Sequence, residues 1–156
     1  MSDHHLTSKR PRADLPTQHT AARSHAVRAR ALYDGTERVA EARALARRFL
    51  TTVQTREAVS LDAREALRLV VSELVTNART HTSGKYSLTL EHVPGTLTIS
   101  VWDTSPEIPA AKARDPRRIG GHGLHIVTTL CASFQASRNH GGKRVTATLP
   151  LTAAPR

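Results

Sequence analysis

Ala63, Ala66, Leu67, Val70, Val71, Leu74 and Ala78 recur at helical spacing, and Thr82, Ser83 and Gly84 then break the pattern. The chain around Ala63 to Ala78 therefore reads as one long amphipathic helix, which must lay its apolar stripe against something else. Ser60 is placed to cap its start. Glu73, Asn77 and His81 are spaced i, i+4, i+8, so they form a second stripe along the border of the apolar face. A carboxylate, a carboxamide and an imidazole lined up where a core meets solvent can hold a divalent cation and a water beside a ligand. They can equally be three polar residues on a helix rim, and the stripe alone leaves both readings open.

The segments around this helix switch to a period of two. Val27, Ala29, Ala31 and Tyr33 alternate with Arg28 and Arg30, which reads as an edge strand ended by Asp34 and Gly35. A helical pattern follows over 37–53, with Thr36 as its expected N-cap. Tyr86, Leu88, Leu90 and then Leu97, Ile99, Val101 form a hairpin about Pro94 and Gly95. Leu124, Val127, Leu130 and Cys131 mark a further helix. Phe134 to Ser137, with Val145, Ala147 and Leu149, form a last hairpin about His140, Gly141 and Gly142. Between them, residues 105–120 carry Pro106, Pro109 and Pro116 with Lys112, Arg114, Arg117 and Arg118 and show no period, which predicts a long binding loop or lid. The order strand, helix, helix, strand, strand, loop, helix, strand, strand predicts an α+β two-layer sandwich. Its helices should lie on one face of a mixed, mostly antiparallel sheet.

Composition narrows the class without choosing the function. The 156 residues suffice for one domain, and with aromatics at only 3% the core must come from Leu, Val, Ile and Ala. Residues 1–25 are polar, basic and aperiodic, and are expected to be a disordered arm ahead of a domain over 26–152. The net charge of +10 favours acidic partners such as nucleotides, nucleic acid or an acidic protein. Interleaved aromatics and the usual nucleic-acid-binding motifs are missing, which makes a nucleic-acid partner the weaker expectation. The single Cys131 excludes an intrachain disulfide and reads as a small core residue. No apolar run reaches the roughly 20 residues that span a bilayer, and no secretory signal is visible, so a soluble cytoplasmic protein is expected.

Two further segments carry chemistry. Val101, Trp102, Asp103, Thr104, Ser105 and Pro106 end an apolar strand on an Asp. Ile119, Gly120, Gly121, His122, Gly123, Leu124 and His125 run a glycine cluster into a helical pattern, where free N–H groups favour phosphate. Alone, such a cluster is most often a turn. Helix with Glu and Asn, then strand-end Asp, then glycine-rich helix start resembles the GHKL superfamily, the ATPases of histidine kinases, gyrase, heat-shock chaperones and MutL. The closer resemblance, over roughly 27–151, is to small stand-alone anti-sigma-factor serine kinases with a Bergerat-type ATP-binding fold.

That resemblance implies ATP and Mg²⁺ as cofactors and assigns roles to residues. Asn77 would hold the metal and Glu73 would act on the attacking hydroxyl as catalytic base. His81, Gly121, His122, Gly123 and Leu124 would meet the nucleotide, and Asp103 would take the adenine amino group. Arg114, Arg117 and Arg118 could reach the γ-phosphate, or be a solvated basic loop. It implies a protein partner, either a sigma factor or an anti-sigma-factor antagonist, and allows a homodimer. The family's Asp-x-Gly-x-Gly reads Asp103-Thr-Ser-Pro-Glu107 here, without either glycine. A nucleotide-gated binding module without transferase activity is therefore the alternative.

Overall fold

A computed structural model describes residues 26–82, 84–105, 122–139 and 141–152. The expected arm at 1–25, the loop arginines, Gly121 and His140 lie outside these residues. So do the side chains of His122 and Leu124.

Strand β1 (Val27–Tyr33) is followed by helices α1 (Val39–Gln54) and α2 (Leu61–His81), then by strands β2 (Tyr86–Val93) and β3 (Thr96–Asp103). Helix α3 (His122–Leu130) precedes β4 (Ser133–Asn139) and β5 (Gly142–Pro150). The five strands form one sheet in the order β1-β2-β3-β5-β4. All four pairings are antiparallel, so among the described residues the expected mixed sheet is wholly antiparallel. Each hairpin turns on a glycine in the left-handed region, Gly95 at φ 83° and Gly141 at φ 76°, which a Cβ would penalise.

The register explains the burial. Tyr33, Tyr86, Asp103, Lys143 and Arg138 form one cross-sheet row at the end of the sheet nearest the C-terminus of α2. The next row on the same face is Ala31, Leu88, Val101, Val145 and Ala136, and the one after is Ala29, Leu90, Ile99, Ala147 and Phe134. The opposite face carries Thr89, Thr98, Ser100, Thr146 and Thr148, all half-buried, and no described helix covers it. Period-two alternation thus gives one apolar face and one polar face.

Helix α2 crosses the middle of the apolar face. Its Leu67, Val70, Val71, Leu74, Val75 and Ala78 are buried against the strands and the flanking helices. Burying each Leu or Val of this stripe contributes about 1.5–3 kcal/mol. Helix α1 packs on β1 and β2, and α3 packs on α2 and β4. The Ser60 hydroxyl caps α2 by accepting the Ala63 N–H at 3.1 Å, as its sequence position predicts.

Thr36 does not cap α1. Glu37 instead turns its carboxylate back onto the Asp34 N–H at 3.1 Å and the Gly35 N–H at 3.1 Å. Asp34 Oδ1 accepts both the N–H and the hydroxyl of Thr36. This tight loop delays the helix to Val39, with Arg38 at a cap position that makes no side-chain cap bond. Cys131 lies just past α3 rather than inside it, its N–H donating to the Val127 carbonyl at 3.0 Å. Burial pushes its thiol up to about 11, so it is an inert packing residue.

Candidate nucleotide site

The C-terminal end of α2 is tied to the end of β3. The Thr82 and Thr104 hydroxyls share a hydrogen bond of 2.5 Å, and the Gly84 N–H donates to Thr82 Oγ1 at 3.1 Å. This junction sets the helix stripe beside the strand-end carboxylate. His81 is exposed, yet close enough for its charge to act on Asp103. Asn77 and Glu73 are half-buried on the same helix, one and two turns back respectively.

The flank they occupy can be fixed from the helix itself. Ser72 accepts the Arg43 Nε–H of α1 at 2.8 Å, so that flank of α2 faces α1. Glu73 and Asn77 lie on the other rim of the buried stripe, the side on which α3 packs. Among the described residues neither side chain has a hydrogen-bond or ion-pair partner. A half-buried carboxylate and carboxamide left free in this way are available to a ligand.

Asp103 is 1% exposed, and its carboxylate is held at both oxygens. Oδ1 accepts the Ser105 N–H at 2.8 Å, and Oδ2 faces the Lys143 ammonium at 3.6 Å. Burial raises its pKa above the ordinary aspartate value, against the opposing pull of the Ser105 N–H, Lys143 and His81. An ionised carboxylate offers about four lone-pair sites, so these two contacts leave it acceptor capacity. The adjoining backbone is close-packed. A Cβ on Gly142 would stand 2.0 Å from the Asp103 carbonyl oxygen, so only glycine fits beside the strand end.

Lys143 is the residue the sequence reading missed. It is also 1% exposed and directly opposite Asp103 on β5. One signal was there: extending the inward alternation of Leu149, Ala147 and Val145 by one step lands on Lys143. A lysine on a core face needs a counter-ion, and the strand-end aspartate across the pairing supplies it.

A cleft of about 540 Å³ opens at the C-terminal end of α2, lined by Asp34, Gly35, Thr36, Arg79, Thr80, His81 and Thr82. Of the expected site residues His81 lines it, while Glu73, Asn77 and Asp103 do not. It lies toward the β1–α1 loop, and the chemistry-bearing groups lie on the other flank of the helix.

The residues present fit a nucleotide with its metal. Asp103 presents a buried carboxylate whose remaining acceptor capacity suits a base amino group, and the Asn77 carboxamide oxygen is a hard neutral ligand type suited to Mg²⁺. No cluster of three or more His, Cys, Asp or Glu that could hold a metal exists among the described residues. Backbone N–H groups at the start of α3 suit phosphate.

This is the layout of an α+β ATPase, with helices on one face of an antiparallel sheet and a polar site between α2, α3 and the end of β3. The chain belongs to the histidine kinase-like ATPase domain family, whose pattern it matches over residues 36–149. Its fold is similar to that of a Mycobacterium tuberculosis structure containing RsbU and RsbW domains, with a TM-score of 0.59 and 19% identity. That match covers 80% of this chain and 32% of the other, so this chain spans about a third of that structure's length. The histidine kinase AdeS of Acinetobacter baumannii matches with a TM-score of 0.46 and 18% identity, over 80% of this chain and 68% of the other. None of the curated proteins compared with the chain matches it. No helix among the described residues is long and apolar enough to cross a membrane.

Proposed function

We propose that residues 26–152 form an Mg·ATP-binding regulatory serine/threonine protein kinase of the anti-sigma-factor type, acting on or sequestering a protein partner in the cytoplasm. The observation that carries the reading is the buried Asp103 carboxylate, placed beside a helix whose Glu73 and Asn77 have no partner among the described residues. Asp103 receives the exocyclic amino group of the base. Asn77 ligates Mg²⁺, and His81, Gly121, His122, Gly123 and Leu124 contact the nucleotide. The bound Mg·ATP supplies the phosphoryl group. Glu73 accepts the proton of the partner's hydroxyl, which requires hydrogen-bond reach of that oxygen. The partner, a sigma factor or an anti-sigma-factor antagonist, is what the resemblance of the sequence to stand-alone anti-sigma-factor serine kinases implies.

One observation favours a second reading, a nucleotide-gated binding module that transfers nothing. The strand end lacks both glycines of the family pattern, and Ser105 N–H already holds Asp103 Oδ1 in a closed turn. Incubation of candidate partner proteins with the chain and radiolabelled Mg·ATP separates the two. Label on a partner serine or threonine supports the kinase. Mg·ATP binding with no label on any partner supports the module.

A further inference from the structure

We infer that the furrow between α1 and α2, on the solvent side of the helix layer, docks an acidic segment of a protein partner, with Arg43, Arg47, Arg64, Arg68 and Arg79 along its walls. The inference rests on the reading above that the chain binds a protein, and it names the surface and the chemistry of that partner.

Helices α1 and α2 are packed together and joined by a short link, so they run antiparallel. The Arg43 Nε–H bond to Ser72 at 2.8 Å fixes which flanks meet. One turn from Arg43 toward the C-terminus of α1 stands Arg47. One turn from Ser72 toward the N-terminus of α2 stands Arg68, so these two residues border the same stretch of the furrow. Arg64 lies one turn further along α2, and Arg79 lies on the same flank in the other direction. The Arg79 charge acts on Tyr86 of β2, which also places it on the α1 side of the helix.

All five arginines are exposed. Among the described residues only Arg68 has a carboxylate within ion-pair distance, Glu65 at 3.1 Å. Glu65 is also the sole acidic residue on these two flanks. Helix surfaces are ordinarily steadied by opposite charges four residues apart. Here Arg43 with Arg47, and Arg64 with Arg68, are like-charge pairs at that spacing, and they cost stability. Carboxylates laid along the furrow relieve that repulsion, and the planar arginine fork takes a carboxylate with two parallel hydrogen bonds.

Two features favour a protein segment over nucleic acid. Leu61, 63% exposed, lies on the same flank at the start of α2, and an aliphatic side chain covers it better than a phosphate backbone does. No aromatic residue stands on either flank to stack a base. From Arg64 to Arg79 the furrow runs about 22 Å, the length of a helical segment of about four turns. Its Arg79 end opens into the cleft that His81 also lines. Glu73 and Asn77 lie on the opposite flank of α2, so a segment in the furrow leaves the nucleotide side open.

The test is fluorescence anisotropy of the full chain, without nucleotide, against a labelled peptide of about 15 residues of Glu, Ala and Leu with Glu at i,i+4 spacing. Its counterpart with Gln for Glu and a single-stranded DNA of similar length are the comparison probes. Wild type should bind the Glu peptide about tenfold tighter than the Gln peptide, and tighter than the DNA. Arg47→Glu with Arg64→Glu should weaken Glu-peptide binding by about tenfold or more. Arg30→Glu with Arg48→Glu makes the same change of net charge on β1 and on the far flank of α1, and should leave binding within about twofold of wild type. Equal losses in the two double variants, or no preference for Glu over Gln, would overturn the inference. DNA bound more tightly than the Glu peptide, and lost in Arg47→Glu with Arg64→Glu, would overturn it in favour of nucleic acid. Calorimetric titration of the same proteins with Mg·ATP keeps this inference apart from the ATP reading. ATP binding with no peptide binding overturns the furrow alone, and peptide binding with no ATP binding overturns the ATP reading alone. Should the furrow reversal not fold, Arg47→Ala with Arg64→Ala takes its place, with a loss in the same direction expected.

Discussion

Two carboxylates, each facing a basic side chain, stand at opposite ends of the same sheet, and their environments differ in sign. At the far end His92 Nε2 meets Glu57 Oε2 at 2.9 Å, and the same carboxylate accepts the Gly95 N–H at 3.0 Å. These contacts, the Gly95 N–H first and His92 second, hold the Glu57 carboxyl below its ordinary value. At the near end burial dominates, and the Asp103 carboxyl is held above its ordinary value despite Lys143. Glu57 is charged and content, clasping the loop after α1 to the β2–β3 turn. At Asp103 burial opposes the charged form, a cost that a ligand's donors would offset. A carboxylate whose contacts outweigh its burial holds structure, whereas one whose burial outweighs its contacts, beside a helix rim with no partner among the described residues, suits a ligand. The far end is not fully satisfied either, since His92 Nδ1 is buried with no hydrogen-bond partner among the described residues.

The sharpest break between the two ends should come from α2. Glu73→Gln should leave Mg·ATP affinity near wild type and slow phosphate transfer by about 10²–10⁴-fold, or about 3–5 kcal/mol in the barrier. Asn77→Ala should instead abolish the Mg²⁺-dependent part of ATP affinity and transfer together. Single-turnover transfer assays with calorimetry on both variants check this pair. Wild-type transfer by Glu73→Gln would move the base elsewhere.

Next in size is a pH effect at Asp103. A raised carboxyl pKa means the native state binds the proton more tightly than the unfolded chain does. The stability tied to this group is thus fully present below the unfolded value and lost as pH rises through the folded value. Protonation removes the acceptor, so ATP affinity should fall on acidification before an ordinary aspartate would titrate. Affinity measured against pH should show that loss in wild type and not in Asp103→Asn. A flat wild-type profile would remove Asp103 from the base contact.

The far end should respond in stability alone. Glu57→Gln weakens the clasp on His92 and Gly95 and should lower the melting temperature while leaving ATP affinity unchanged. The sign is opposite to that at Asp103. A lowered carboxyl pKa contributes stability above the unfolded value, and that stability is lost as pH falls through the folded value. Melting curves at neutral and acidic pH should therefore converge for wild type and variant on the acid side. A change in nucleotide affinity in Glu57→Gln would erase the distinction between the two ends.

The smallest effect expected is at Cys131. With its thiol pushed up to about 11, iodoacetamide at neutral pH should label it far more slowly than free cysteine and leave binding unaltered.

Much of this arrangement is legible in the chain because local periodicity decides it. The α2 stripe, its Ser60 cap, β1 and the Pro94–Gly95 hairpin follow from spacing and turn chemistry alone. The start of α1 was displaced by Glu37 folding back on Asp34 and Gly35, a competition between side-chain and helix bonds that pattern reading does not weigh. The β3–β5 pairing was not legible, because it joins strands separated by a loop and α3. Lys143 was hidden by the same pairing, since its partner is set by the register between distant strands. The sequence shows that Glu73 and Asn77 belong to α2 and that Asp103 ends β3, while the flank of α2 that Glu73 and Asn77 occupy follows from the Ser72–Arg43 bond.

The central claim is that the Asp103 end, and not the Glu57 end, is the nucleotide site. Calorimetric titration of ATP, with and without Mg²⁺, into wild type, Asp103→Asn and Glu57→Gln tests it in one experiment. The account predicts Mg²⁺-enhanced binding to wild type and Glu57→Gln alike. It predicts an affinity loss of about 1–3 kcal/mol in Asp103→Asn, where an amide donor meets the base amino group. Equal ATP affinity in wild type and Asp103→Asn, or no ATP binding to wild type at all, would contradict it.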